Sequence, residues 1–142
     1  MKTTLYQISK SLFTLFVLLA MAGVAIPQDG VSLLTSANGK GTITVGHEEF
    51  RLHSVIIKLL EDGKTEITLV SDITFFLQGT WSKSANAPGE VDLKITGTTA
   101  GGGVQGDGKV LLRDDRKSLA GVTLQGSSNT RKRLVKVNFK AN

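Results

Sequence analysis

The residue types best suited to chemistry lie close together between positions 47 and 53. His47, Glu49 and His53 supply two imidazoles and a carboxylate, the smallest set that holds a catalytic zinc. With Arg51 they share one face if the segment is extended. An extended run, however, puts about 20 Å between His47 and His53, at roughly 3.3 Å per residue. Arg51 between them also repels a cation. The two imidazoles reach one ion only if the chain turns near residues 49–52. We read these four as solvated side chains, with Phe50 and Leu52 pinning the segment to the core, and expect no metal and no cofactor.

Other catalytic routes are poorly supplied. The chain has no Cys, and its single Tyr is Tyr6, so nucleophiles and acids reduce to Ser, Lys and the two His. Glu48-Glu49 and Asp114-Asp115 are adjacent carboxylates. Strand neighbours point to opposite faces, so neither pair flanks one substrate bond unless it sits in a turn. They read as surface charges and turn acceptors. Gly101-Gly102-Gly103-Val104-Gln105-Gly106 matches the GxGxxG string, and Gly103 to Lys109 approximates a P-loop. A phosphate cradle needs a helix N-terminus next. Here Lys109-Val110-Leu111-Leu112 continues as a strand, and Val110 stands where a Ser or Thr must reach a magnesium ion. The string is a flexible turn.

Basic residues gather late: Arg113, Arg116, Lys117, Arg131, Lys132, Arg133, Lys136 and Lys140. They could line an anion or nucleic-acid surface, but Phe139 is the one aromatic nearby and the alternation buries it. Base stacking needs exposed rings. We read the cluster as solvated charge that also discourages edge pairing, and expect no nucleic-acid partner. We expect a chain without enzymatic activity.

The first residues read as an address. Lys2 and Lys10 give a positive start, Leu12 to Ala22 an apolar core, and Ala20-Met21-Ala22 or Gly23-Val24-Ala25 a small-residue cleavage site. This is the pattern of a secretory signal peptide, and its apolar run is shorter than the roughly 20 residues of a membrane-spanning helix. We assign 1–25 to the signal, 26–38 to a linker with one short strand at Val31 to Leu34, and 39–142 to a single β domain. The expected location is secreted or periplasmic, with no membrane span after signal removal. Of the 17 basic side chains against 12 acidic ones, cleavage removes Lys2 and Lys10, leaving a mild positive excess. With no Cys, this domain is held by packing rather than by disulfides.

The elements that must position any site are strands. Ile73, Phe75, Leu77 and Trp81 alternate with Thr74, Gln78 and Thr80. Val91, Leu93 and Ile95 alternate with Glu90, Asp92 and Lys94, and Val135, Val137 and Phe139 with Lys136, Asn138 and Lys140. Side chains on a strand face alternate sides, so each run has one buried and one wet face. Strands are expected at 40–46, 53–60, 65–70, 73–82, 89–97, 104–113, 118–125 and 131–140. The turns between them, such as Glu61-Asp62-Gly63-Lys64, are too short for crossover helices, so neighbours run antiparallel. Gly39-x-Gly41-x-Ile43-x-Val45 also matches Gly106-x-Gly108-x-Val110-x-Leu112, which raises a duplication of strands 1–3 as strands 6–8.

The fold class is therefore all-β, an eight-stranded antiparallel meander closing as a small up-and-down barrel, with a two-sheet β-sandwich as the alternative. Inward glycines at Gly79, Gly106 and Gly108 favour the coiled, closed form. A membrane barrel would need its apolar residues outside; charges such as Asp92, Lys94 and Lys136 facing lipid would cost roughly 2–4 kcal/mol each near mid-bilayer.

The expected inward set is Ile43, Val45, Val55, Ile57, Leu59, Ile67, Leu69, Ile73, Phe75, Leu77, Trp81, Val91, Leu93, Ile95, Val110, Leu112, Val122, Leu124, Val135, Val137 and Phe139. Trp81 acts in it as a large core plug. Ile56, Phe76, Leu111 and Leu134 fall on the outward phase, a ligand or partner surface if they cluster. The first functional expectation is a non-enzymatic binding or interaction module of the cell envelope or secreted fraction, with a protein partner. The second is a carrier of a small apolar ligand inside the barrel, which requires a cavity larger than about 300 Å³ bounded by Leu, Phe and Trp81. A hydrolase or metal-dependent enzyme at His47, Glu49 and His53 ranks last.

Overall fold

A computed structural model describes residues 30–99, 102–129 and 131–142. The expected signal peptide, and residues 26–29 of the expected linker, lie outside these described residues.

Eight strands follow one another in chain order: β1 (Val31–Val45), β2 (Glu48–Leu60), β3 (Lys64–Val70), β4 (Thr74–Lys83), β5 (Glu90–Thr98), β6 (Val104–Leu112), β7 (Leu119–Ser128) and β8 (Leu134–Ala141). Each pairs antiparallel with the next, and β8 closes on β1 through Gly41↔Phe139 and Ile43↔Val137. The barrel, not the sandwich, is the architecture, because closure pairs the edges that a sandwich leaves open.

Period-two alternation places the core. Every strand sends at least one apolar side chain inward: Ile43, Val55, Ile67, Leu77, Leu93, Val110, Val122 and Val137 are all at most 3% exposed. Lys58, Glu66, Lys94, Lys109, Lys136 and Lys140 stand on the opposite phase. An apolar lumen with charges outside is the reverse of a lipid-facing barrel. Among the described residues no helix is long and apolar enough to cross a membrane. The buried Thr65 is satisfied, its hydroxyl donating to the Lys58 carbonyl at 3.0 Å.

The strands coil tightly where glycine permits it. A Cβ on Gly79 would lie 1.9 Å from the Lys94 carbonyl oxygen, at a bulge where Gly79 pairs Ile95 directly after Gln78 pairs Gly97. Only a residue without a side chain lets β4 and β5 approach this closely. Gly63, with φ of 88°, makes the left-handed position of the β2–β3 turn.

Three expectations need correction. Residues 31–38 are not a linker: they form the first half of a continuous β1, pairing β2 from Val31↔Leu60 to Asn38↔Ser54. Ile73 is not in the core but 55% exposed, because the chain turns over residues 71–73 before β4 begins at Thr74. Nor are strands 1–3 a structural duplicate of 6–8. In an up-and-down barrel β1 and β6 run in opposite directions while the meander keeps one sense around the axis. The two triplets therefore differ in hand and do not superpose by rotation. Their shared pattern is the common requirement of an inward face.

Candidate functional site

The strand order sorts the connections between two ends of the barrel. The β2–β3 turn, the β4–β5 loop and the β6–β7 turn share one end with the start of β1. The β1–β2, β3–β4, β5–β6 and β7–β8 connections share the other.

The first end holds a half-open cavity of about 590 Å³. Leu33, Leu59, Trp81, Val91 and Leu112 give it an apolar wall, continuous with the core. Lys83, Glu90, Arg116 and Lys117 stand among the residues around it. It arises from a stagger in the closing seam. β8 pairs only with Gly39–Val45 of β1, so Val31 to Leu34 overhang and line one side of the opening.

Trp81 is held in place there. Its indole Nε1 donates to the Leu60 carbonyl at 2.7 Å and its backbone N–H to the Gly63 carbonyl at 2.8 Å. A ring tied at its polar tip keeps its apolar face available to the cavity. The β4–β5 loop is clipped over the end of β6 by the Leu112 N–H donating to the Gly89 carbonyl at 2.8 Å.

The β6–β7 turn carries the cations. One oxygen of Asp115 accepts from the Lys117 N–H at 2.8 Å and the Ser118 N–H at 2.7 Å, and the other accepts from the Ser118 hydroxyl. The Ser118 hydroxyl, followed by the two amides, holds the Asp115 carboxyl down at about 2. Arg116 sits at φ of 57°, in the left-handed region that costs a non-glycine residue of order 1 kcal/mol. Asp115 stabilises that bend and so presents Arg116 and Lys117 at the cavity. Glu90 is engaged elsewhere, its carboxylate 3.2 Å from Lys109 Nζ. Among the described residues, Lys83 and Arg116 have no carboxylate within ion-pair distance.

The sequence-predicted surface residues fare unequally. Ile56, Phe76, Leu111 and Leu134 are all exposed. Ile56 and Phe76 share one row of the outer face, both opposite Thr68 on β3, and exposed Leu34 lies on the diagonal from Ile56. Leu111 pairs Gly121 and Leu134 pairs Ser127, positions about 20 Å apart along β7 at roughly 3.3 Å per residue. Four residues thus resolve into one pair and two singletons.

The imidazole set is also dispersed. β2 runs unbroken from Glu48 to Leu60, so the turn that would bring His47 to His53 does not occur. His53 instead lies 3.8 Å from Asp72, with both side chains exposed. The glycine string leads straight into β6, and Gly102 N–H is taken by the Thr98 hydroxyl at 2.8 Å. The late basic residues divide between both ends and the outer face, so they form no single stripe for nucleic acid.

Sequence reasoning treated Trp81 and Leu112 as filling and Arg116 and Lys117 as bulk charge. Their meeting at one mouth had a faint signal: even-numbered connections of a meander share an end, so the β2–β3 turn, the β4–β5 loop and the β6–β7 turn had to lie at the same end of the barrel. Comparison of the chain with protein-family models, curated proteins and solved structures finds no match in any of the three.

Proposed function

We propose that this barrel is a non-enzymatic binding protein that carries a small, largely apolar molecule in the mouth beside Trp81. The observation that supports this most is the 590 Å³ cavity walled by Leu33, Leu59, Val91, Leu112 and Trp81. Ligand sites are concave, mostly apolar and about 300–1,000 Å³ in size. The N-terminal pattern from Lys2 to Ala25 supports action outside the cytoplasm, in the secreted fraction or the periplasm.

Trp81 is the chain's single tryptophan, so its emission reports on this site alone. Titration with the neutral probe N-phenyl-1-naphthylamine is expected to quench Trp81 saturably, and Leu33→Glu to abolish the effect. Absence of saturable quenching in the wild-type protein would refute the reading.

A second reading rests on the row of Ile56 and Phe76 with Leu34 beside it: a protein-binding strip on the outer face of β1 to β4. Under that reading Phe76→Ser, not Leu33→Glu, removes the interaction.

A further inference from the structure

We infer that the ligand of this mouth is a single-chain amphiphile with an anionic head, a medium-chain carboxylate, whose tail lies along Trp81 and whose head meets Arg116, Lys117 and Lys83. The inference rests on the carrier reading and adds the charge of the ligand to it.

Three observations converge. The wall is apolar and continuous with the core, so it accepts a hydrocarbon tail but offers no buried polar group to a polyhydroxylated or heterocyclic ligand. The charged residues around it are Lys83, Arg116 and Lys117 against Glu90, and Glu90 is already neutralised by Lys109. The unbalanced field at the opening is positive, which draws in an anion. Finally, the bend that sets out Arg116 and Lys117 is built at a cost: Arg116 occupies a left-handed backbone position that glycine would fill more cheaply. Arg131 and Lys132 take the same region in the β7–β8 turn, so the strain alone marks no site; at Arg116 it coincides with the cavity.

The turn's own carboxylate does not close the cations off. Asp115 attracts the Lys117 ammonium, but among the described residues it forms no ion pair with Lys83, Arg116 or Lys117, and its oxygens accept three hydrogen bonds from the Lys117 N–H and from Ser118. An arriving carboxylate finds Arg116 able to take both of its oxygens with two parallel N–H donors.

Binding to the wild-type protein is measured by Trp81 emission for three ligands of equal chain length: decanoate, 1-decanol and decylamine. Decanoate is expected to bind about tenfold more tightly than decanol, as three exposed ionic contacts allow, and decylamine more weakly than either. The preference is expected to shrink as salt is raised. Across octanoate, decanoate and dodecanoate, affinity is expected to rise up to about fourfold per methylene until the wall is covered. The variant Lys83→Glu/Arg116→Glu/Lys117→Glu is expected to reverse the ranking of decanoate and decylamine, its fold checked by far-UV circular dichroism. Equal binding of decanol and decanoate, or a ranking that the triple variant leaves in place, overturns the anionic head while the cavity stands. Failure of all three ligands overturns the carrier reading itself, and the head-group inference with it.

Discussion

The indole Nε1 of Trp81, near the end of β4, donates to the carbonyl of Leu60, the last residue of β2, at 2.7 Å. This bond ties two strands that flank β3 without pairing with each other. It also spends the indole's single donor, leaving only apolar ring surface to face the cavity. Trp81→Phe keeps most of the ring and loses the donor, so we expect a destabilisation of about 1 kcal/mol. Trp81→Ala also loses the packing and is expected to cost about 3 kcal/mol. Urea unfolding followed by far-UV circular dichroism measures both as shifts in midpoint at unchanged slope. An equal effect of the two substitutions would show that the ring contributes nothing to the mouth.

Asp115 makes the β6–β7 turn sensitive to acid in a defined window. Its carboxyl is lowered from the ordinary 3.8 to about 2, first by the Ser118 hydroxyl. A group whose folded pKa lies below its unfolded one contributes fully above the unfolded value, and its contribution fades as pH falls through the folded one. The turn should therefore be complete above about pH 4 and should loosen as pH falls from 3.8 toward 2. Carboxyl-carbon NMR is expected to give a midpoint near 2 in the wild-type protein and a higher one in Ser118→Ala. A midpoint near 3.8 in the wild type would mean that the three hydrogen bonds do not persist in solution.

Arg116 should show opposed effects on stability and binding. Glycine adopts φ of 57° without the contact between Cβ and carbonyl that strains arginine there. Arg116→Gly also removes a cation from the opening. The substitution is expected to leave stability unchanged or raise it by up to about 1 kcal/mol, while weakening decanoate more than decanol. Arg116→Lys keeps the charge and the strain but loses the paired donors, so it should fall between. Loss of stability in Arg116→Gly would place Arg116 among the residues that hold the fold.

How far the fold was readable follows from the physics of one periodicity. Strand side chains alternate with a period of two, so Val91, Leu93 and Ile95 declare both their strand and its inner face. Short turns then leave the meander little choice. The alternation gave way where its apolar phase is filled by small or polar residues. In the first half of β1 the inward positions include Thr35 and Ala37, so a strand resembled a linker. At Ile73 the opposite error arose, since an apolar residue in step with β4 sits in a turn that releases it to solvent. The mouth was hidden for a different reason. Its wall comes from β1, β2, β4, β5 and β6, and its cations from the end of β4 and from the β6–β7 turn. No local pattern reports a meeting of residues that far apart in sequence.

Leu52 and Ile73 test that account with one pair of substitutions. Both are aliphatic, yet Leu52 is 1% exposed and Ile73 is 55% exposed. Along β2 the buried positions are Leu52, then Val55, Ile57 and Leu59. The inward phase therefore slips by one residue at His53-Ser54, beside the irregular pairing of β1 between Asn38 and Gly41. That slip brings Phe50 within the barrel, where its ring meets Phe75 edge to face at 5.4 Å. Leu52→Ala empties a fully buried core site and is expected to cost about 2–5 kcal/mol. Ile73→Ala changes a solvent-facing turn and is expected to stay within about 0.5 kcal/mol of wild type. Chemical denaturation of the two variants side by side distinguishes the slipped register from strict alternation, which would bury Ile73, turn Leu52 to solvent and so predicts the reverse order of losses.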